Sequence, residues 1–199
     1  MKLEPKALLF DMDGVLVNSI KSWYYSLNEA LKTYGKKQVT LEEFEKKFWG
    51  RDLQYNLEHM NLSYEILSFC NNIYGDNVGH VEIYPDTINT LEKLDGYNKA
   101  VITNTPRTCT NQIIKKYGFN RFFNFFLTSD DVKRGKPSPE IVFMAIKKLD
   151  LKPDDVILIG DTKSDIEAGQ KAGVKVVGMR INADYRVEKM SDLLNLINI

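Results

Sequence analysis

The chain has 199 residues, of which 43% are hydrophobic and 27% are charged. This composition is typical of a soluble globular protein with one sizeable core, and it excludes a largely disordered chain. Lys plus Arg and Asp plus Glu each number 27, so no net basic charge is present to attract nucleic acid or an anionic membrane. We therefore expect a small molecule as the partner.

The N-terminal segment and the cysteines predict a cytoplasmic protein. Residues 1–5 lead directly into a short apolar run, without the basic region or cleavage site of a signal peptide. The sequence contains no run of about 18 apolar residues that would predict a transmembrane helix. Cys70 and Cys109 lie far apart and outside any metal-ligand spacing, which favours a reducing compartment and packing roles.

The first predicted strand ends in two carboxylates. Residues 8–10 form a short apolar run, and Asp11, Asp13 and Gly14 follow it. Functional groups of α/β sheets gather just beyond the carboxyl ends of such strands. Two carboxylates this close repel each other unless a cation lies between them, so the pair predicts a divalent metal, Mg²⁺. The alternative is a solvated turn with no catalytic role.

Residues 20–80 have helical spacing throughout. The patterns predict three helices that end at Gly35, near Gly50 and at Gly75, and the second begins with a capping box of Thr40 and Glu43. Residues 15–17, before this block, are too few for a helix and predict a small hairpin. No strand pattern interrupts the helical block.

Beyond residue 85, helices alternate with short β-rich runs at 100–102, 125–127, 156–159 and 174–177. Ser138 is expected to cap one of these helices, with Pro139 at its first position. The alternation predicts an α/β fold with a doubly wound parallel sheet and an inserted small α-helical cap. We assign 1–17 and 84–199 to the core and 18–83 to the cap domain.

Two polar groups follow the middle strands. Thr103 and Asn104 end the run at 100–102, where a hydroxyl and backbone donors could bind a phosphate oxygen, although a turn residue is the alternative. Lys136 stands between Gly135 and Pro137 in a restricted turn aimed at the same edge. It could neutralise a phosphoryl group, although most lysines are simply solvated.

Asp161 and Asp165 follow the run at 156–159. Asp161 comes directly after the strand and one glycine, which favours a metal ligand. Asp165 has a structural alternative, because Ser164 and Glu167 form a capping-box pattern and an acid in the first turn favours the helix dipole.

These four motifs resemble those of the haloacid dehalogenase-like hydrolase superfamily. They read DMDGVLVNS from Asp11, ITN from Ile102, KPSP from Lys136 and GDTKSD from Gly160. The resemblance covers about residues 7–178, and the insertion resembles the caps of phosphoglycolate phosphatase and β-phosphoglucomutase relatives. It implies a Rossmann-like core and a Mg²⁺-dependent phosphatase for a small phosphorylated metabolite, such as phosphoglycolate or a sugar phosphate. No oligomeric state follows from it.

The resemblance also implies roles for individual residues. Asp11 would attack phosphorus to form an aspartyl-phosphate, and Asp13 would protonate the leaving oxygen and later deprotonate water. The metal would be held by Asp11, the main-chain carbonyl of Asp13 and Asp161, with Asp165 in direct, water-mediated or supporting contact. The phosphoryl oxygens would be bound by Thr103, Asn104 and Lys136.

Substrate selection is expected in the cap. Arg51, in the loop after Gly50, could recognise a carboxylate or a second phosphate, although a solvated arginine is the alternative. Two departures from the family, Asn18 and Asp86, lie at the predicted hinges of the cap. A phosphomutase with the same intermediate and a non-catalytic binding protein are the alternative functions; the presence of Asp13 as a general acid argues against the second.

Overall fold

A computed structural model describes residues 2–50, 56 and 61–198. The strands are β1 Ala7–Phe10, β2 Val17–Asn18, β3 Glu82–Ile83, β4 Asn98–Ile102, β5 Phe125–Leu127, β6 Val156–Gly160, β7 Lys175–Met179 and β8 Tyr185–Val187. Six of them form one sheet in the order β5-β4-β1-β6-β7-β8, and all its pairings are parallel. The predicted parallel sheet is confirmed, with β1 at its centre.

Helices cover both faces of this sheet. The helices after the insertion are α4 Thr87–Lys93, α5 Arg107–Tyr117, α6 Glu140–Leu149, α7 Lys163–Ala172 and α8 Leu193–Leu196. Leu8 and Phe10 share a core with side chains of α4, α5 and α8, whereas Ala7 and Leu9 share a core with side chains of α6 and α7. Alternate residues of β1 therefore bury opposite faces, as a doubly wound sheet requires.

The inserted helices are α1 Ile20–Thr33, α2 Leu41–Lys47 and α3 Tyr64–Asn77. Their apolar faces meet in a separate core that includes Leu27, Leu31, Phe44 and Ile66. The chain enters and leaves this unit through β2 and β3, which pair antiparallel. None of the helices in the described ranges is long and apolar enough to cross a membrane. The domain boundaries at 17/18 and 83/84 stay a prediction.

Several local predictions were wrong. Val17 pairs with Ile83 rather than in a local hairpin, because the residues just before it form a tight turn in which the Gly14 N–H donates to the Val17 carbonyl. Gly75 lies inside α3 instead of ending it. Pro139 is the N-cap of α6 rather than its first helical residue, so the helix begins one residue later than predicted. The sequence patterns missed β8 and α8, which have three and four residues and are too short for a periodic signal.

The packing of α7 on the sheet can be tested by adding a methyl group at Gly169. A Cβ atom at Gly169 in α7 would lie 2.4 Å from Val176 Cγ2 and 3.2 Å from Leu158 Cδ2. We expect Gly169→Ala to lower the free energy of unfolding by about 1–3 kcal/mol, because overpacking outweighs the higher helix propensity of alanine.

Gly75→Ala is the matched control, because a Cβ there would lie 3.5 Å from its nearest neighbour. It should raise the free energy of unfolding by about 0.5–1 kcal/mol. Urea unfolding of both variants measures the difference. A Gly169→Ala protein as stable as the wild type would contradict the close packing of α7 on the sheet.

Candidate active site

Asp11 lies at the centre of the carboxyl edge of the sheet. Its position directly after β1, between β4 and β6, leaves only 6% of the residue exposed. The Asp11 N–H donates to the Ile159 carbonyl at 2.8 Å, and Asp11 Oδ1 accepts from the Met12 N–H at 2.8 Å. The carboxylate is therefore held in one orientation by backbone groups of the strand end.

Lys136 binds Asp11 and Asp165 at the same time. Its Nζ lies 2.8 Å from Asp11 Oδ1 and 2.6 Å from Asp165 Oδ1, and it also donates to the Ile102 carbonyl at 3.2 Å. Lys136 is 2% exposed, so it is not a solvated lysine. Burial acts to lower its pKa, but the carboxylates of Asp11 and Asp165 outweigh burial and raise the pKa above its ordinary value.

Asn104 fixes the backbone of Lys136. The Lys136 N–H donates to Asn104 Oδ1 at 2.7 Å, and Asn104 Nδ2 donates to the Lys136 carbonyl at 2.8 Å. These two bonds occupy both ends of the Asn104 amide. The predicted contact between Asn104 and phosphate stays a prediction.

Asp13 accepts hydrogen bonds from three hydroxyl groups. Ser19 Oγ donates to its Oδ1, while Thr105 at 2.7 Å and Thr103 at 3.4 Å donate to its Oδ2. Burial of the carboxyl raises the pKa of Asp13, although the hydrogen bonds from Ser19 and Thr105 oppose this shift. Asp13 is thus a carboxyl group that can hold a proton, placed two residues from the ion-paired Asp11.

Three carboxylates meet beside Lys136. Oxygen atoms of Asp11, Asp161 and Asp165 lie within 4.8 Å of one another. Asp161 Oδ1 is buried and has no hydrogen-bond partner in the described part of the chain. Burial, with the neighbouring Asp165, raises the pKa of Asp161 to about 7, and burial also raises that of Asp11. A buried, unpaired carboxylate oxygen within such a cluster fits a hard divalent cation.

Gly14 is needed for this arrangement. Its φ is +82°, and a Cβ atom there would lie 1.9 Å from Asp161 Oδ2. A residue with a side chain would be strained and would displace Asp161. The glycine of the first motif therefore makes room for the carboxylate of the fourth.

Asp165 already uses both of its oxygens. Oδ1 binds Lys136, and Oδ2 accepts from the Thr162 N–H at 3.0 Å and from Thr162 Oγ1 at 2.6 Å. The capping box of α7 consists of Thr162 and Asp165, so the predicted pair of Ser164 and Glu167 was wrong by two positions. The sequence left direct, water-mediated and supporting contact with the metal open for Asp165. This geometry favours the supporting role.

Comparison with known proteins agrees with this geometry. The family model for haloacid dehalogenase-like hydrolases matches residues 8–179. The chain belongs to this family. A pyrophosphatase PpaX of Bacillus velezensis is 30% identical to it over 214 residues, an alignment that covers 97% of this chain and 96% of the relative.

A second relative supports the assignment to the phosphoglycolate phosphatase branch, and a solved structure supports the fold. Phosphoglycolate phosphatase 1 of Pseudomonas aeruginosa is 25% identical over 188 residues, which cover 88% of this chain and 69% of that protein. A solved structure of a candidate phosphoglycolate phosphatase from Lactobacillus plantarum superimposes with a TM-score of 0.89 at 23% identity, covering 98% of this chain and 100% of that one. The resemblance to this family and its phosphoglycolate phosphatase branch is confirmed.

In this haloacid dehalogenase-like hydrolase, a cleft runs from Asp11 to the inserted helices. It encloses about 820 Å³ of empty space, part of which is open solvent. Gly50, with a φ of +73°, lies against the active-site edge, because a Cβ there would be 2.6 Å from Thr162 Cγ2. Arg51 lies outside the described residues, so its predicted contact with substrate stays a prediction.

Three residues of the hydrolase site were missed from the sequence. Ser19 ends the first motif and Thr105 directly follows the second, and a single serine or threonine in such a position is a weak signal. Arg180 has no sequence signal; it directly follows β7 and has a φ of +61°. Its guanidinium donates to the Gly14 carbonyl and stacks 4.9 Å from the ring centroid of Tyr84. It thereby connects the loop after Asp13 to the segment that returns from β3.

The buried ion pairs predict a pH-dependent loss of stability. Lys136→Met leaves the carboxylates of Asp11 and Asp165 without their cation. We expect this variant to lose about 3–5 kcal/mol of unfolding free energy near pH 8. The loss should shrink near pH 5, because the folded pKa of Asp11 lies above its unfolded value and protonation removes the unpaired charge.

Lys133→Met is the matched control, because Lys133 is exposed in the same loop and should change stability by less than about 0.5 kcal/mol. Urea unfolding at both pH values measures the effect. Equal losses at the two pH values would count against the ionised pair.

Proposed function

We propose that this hydrolase is a Mg²⁺-dependent phosphatase that cleaves a small phosphomonoester, of the phosphoglycolate or sugar phosphate class, through an aspartyl-phosphate. The observation that carries the proposal is the difference between two neighbouring carboxyl groups. Asp11 is ion-paired with Lys136 at 2.8 Å, whereas Asp13 accepts hydrogen bonds from the hydroxyls of Ser19 and Thr105, and burial raises the pKa of both carboxyls. One group suits a nucleophile, and the other suits a general acid and base.

The first step transfers the phosphoryl group to Asp11. An oxygen of the Asp11 carboxylate attacks phosphorus, and the bond between phosphorus and the ester oxygen breaks. The leaving oxygen takes the proton of Asp13 and departs as an alcohol. Lys136 and Thr103 bind the phosphoryl oxygens, and Lys136 reduces the repulsion between two anions as they approach.

The second step releases phosphate. A water molecule attacks phosphorus of the aspartyl-phosphate, and Asp13, now a carboxylate, accepts its proton. The bond between phosphorus and the Asp11 oxygen breaks, so that phosphate leaves and both aspartates return to their starting states. The hydrogen bonds from Ser19 and Thr105 hold Asp13 in one place for both proton transfers.

Mg²⁺ suits the unpaired oxygen of Asp161. We assign its ligands to Asp11, Asp161 and the main-chain carbonyl of Asp13, with Asp165 supporting Lys136. When bound, the ion neutralises charge on the phosphoryl group. The names of the two relatives, a pyrophosphatase and a phosphoglycolate phosphatase, support phosphate chemistry.

In this proposal residues 18–83 act as a cap over the core formed by 1–17 and 84–199. The protein is assigned to the cytoplasm, because both of its cysteines, Cys70 and Cys109, are buried and free.

A phosphate-release screen tests the function. Wild-type protein with Mg²⁺ is assayed against a panel of phosphomonoesters, and Asp11→Asn should lose activity by at least roughly a thousandfold because it lacks the nucleophile. Asp76→Asn, at an exposed position of α3, is the matched control and should keep full activity. Equal turnover by Asp11→Asn and wild type would refute the nucleophile assignment. Transfer of phosphate back to the product without release would identify the phosphomutase alternative.

Removal of one carboxylate tests the metal site. Without metal, the folded pKa of Asp161 near 7 exceeds its unfolded value, so ionisation of Asp161 lowers stability progressively above the unfolded pKa and by its full amount above about pH 7. Asp161→Asn should therefore stabilise the metal-free protein at pH 8, by roughly 1–4 kcal/mol.

Saturating Mg²⁺ should reverse that order, because about 100-fold excess over Kd stabilises only the wild type, by about 2.7 kcal/mol. Urea unfolding with and without Mg²⁺ measures both effects. Equal Mg²⁺ stabilisation of the two proteins would exclude Asp161 as a ligand.

A further inference from the structure

The half of the cleft formed by the inserted helices is mainly apolar. The side chains that α1, α2, α3 and the loop after α2 contribute to it include Trp23, Leu27, Phe44, Phe48, Trp49 and Leu67. Among the described residues that line this half, none carries a charge. The opposite half holds the carboxylates and the buried ammonium of Lys136, so the charges of the described lining lie at the end where phosphate chemistry is proposed.

Two amide side chains interrupt the apolar half. Asn71 in α3 and Asn56 both line the cleft, and each has an Oδ1 atom that is buried and without a hydrogen-bond partner within the described ranges. Asn56 is held through its Nδ2, which donates to the Phe48 carbonyl at 3.3 Å. A buried acceptor without a donor is destabilising and is rare in folded proteins. A ligand that brings a donor would satisfy it.

Asn71 is also the amide that lies beside the catalytic core. Its main-chain carbonyl accepts from the Cys109 thiol of α5 at 3.6 Å, and α5 begins shortly after Thr105, which binds Asp13. Asn71 also lines the cleft, so it stands at the junction between the inserted helices and the core. A leaving group attached to phosphorus at Asp11 would extend along this junction.

The chemistry of this wall discriminates between substrates. A hydroxyl or N–H group can donate to a buried amide oxygen, whereas a carboxylate or a second phosphate would place its own oxygens against that acceptor. Aromatic side chains add apolar surface for an uncharged body. Within the described residues, the wall offers no cation that would offset the desolvation of a second anion.

We propose that Asn71 is a specificity-determining residue, and that it selects phosphomonoesters of uncharged alcohols that carry a hydroxyl or N–H group. This inference rests on the proposed phosphatase function and narrows its substrate class. It favours the sugar phosphate side of that class over phosphoglycolate.

Matched substrates test the proposal on the wild-type protein with Mg²⁺. Each pair has one skeleton and differs in one terminal group: hydroxyethyl phosphate against phosphoglycolate, and para-(hydroxymethyl)benzyl phosphate against para-carboxybenzyl phosphate. We expect the hydroxyl member of each pair to have the higher kcat/KM, by about tenfold or more. A preference for the carboxylate members would overturn the proposal and would support the anion-binding role predicted for Arg51.

Substitution of the amide tests the residue itself. Asn71→Leu keeps a similar volume and removes the acceptor, so the ratio of kcat/KM for para-(hydroxymethyl)benzyl phosphate to that for para-ethylbenzyl phosphate should fall about tenfold, mainly through KM. Asn72→Leu is the matched control, because Asn72 is exposed on the same helix and should leave this ratio unchanged.

The possible results distinguish a failure of the role of Asn71 from a failure of the proposed phosphatase function. Phosphatase activity with an unchanged ratio in Asn71→Leu, or an equal loss on both esters, would overturn the role of Asn71 and leave the proposed function intact. No phosphate release from any ester by the wild type would overturn the proposed function and this inference with it.

Discussion

The contact of Lys136 with two carboxylates is the interaction on which the rest of the site depends. A buried ammonium and two buried carboxylates lose much solvation, and they are tolerated only with short, well-directed contacts. Asp11 comes from the end of β1, Asp165 from the first turn of α7, and the Ile102 carbonyl from the end of β4. One side chain therefore ties three elements together at the edge of the sheet.

The same burial creates the chemical difference between neighbouring aspartates. Asp11 faces a cation, whereas Asp13 faces hydroxyl groups that stabilise its charge only in part. Within the described residues, Asp161 retains an oxygen without a donor, which is unfavourable in the protein alone and suits the proposed cation. Strain and unpaired charge of this kind are concentrated at functional sites, where stability is given up for reactivity.

The inserted helices complete the site with the opposite chemistry. They present aromatic surface and two amides to a cleft whose other end is charged. Because β2 and β3 pair at the point where the chain leaves and re-enters the core, the position of this surface depends on a short ribbon. Arg180 connects the Gly14 loop to Tyr84 directly beyond β3, so the loop after β1 and the returning chain are positioned together.

The local pattern of the sequence determined the fold class, the strand ends and the polar residues that follow them. Three short apolar runs followed by Asp11, Thr103 and Asp161 located the strand ends, because strand periodicity and turn residues act over a few neighbours. The tertiary structure alone decided the partners of Asn104, the capping role of Asp165 toward Thr162, the pairing of Val17 with Ile83 and the position of Arg180. Most of these contacts join residues far apart in the chain, and a periodic pattern describes only near neighbours.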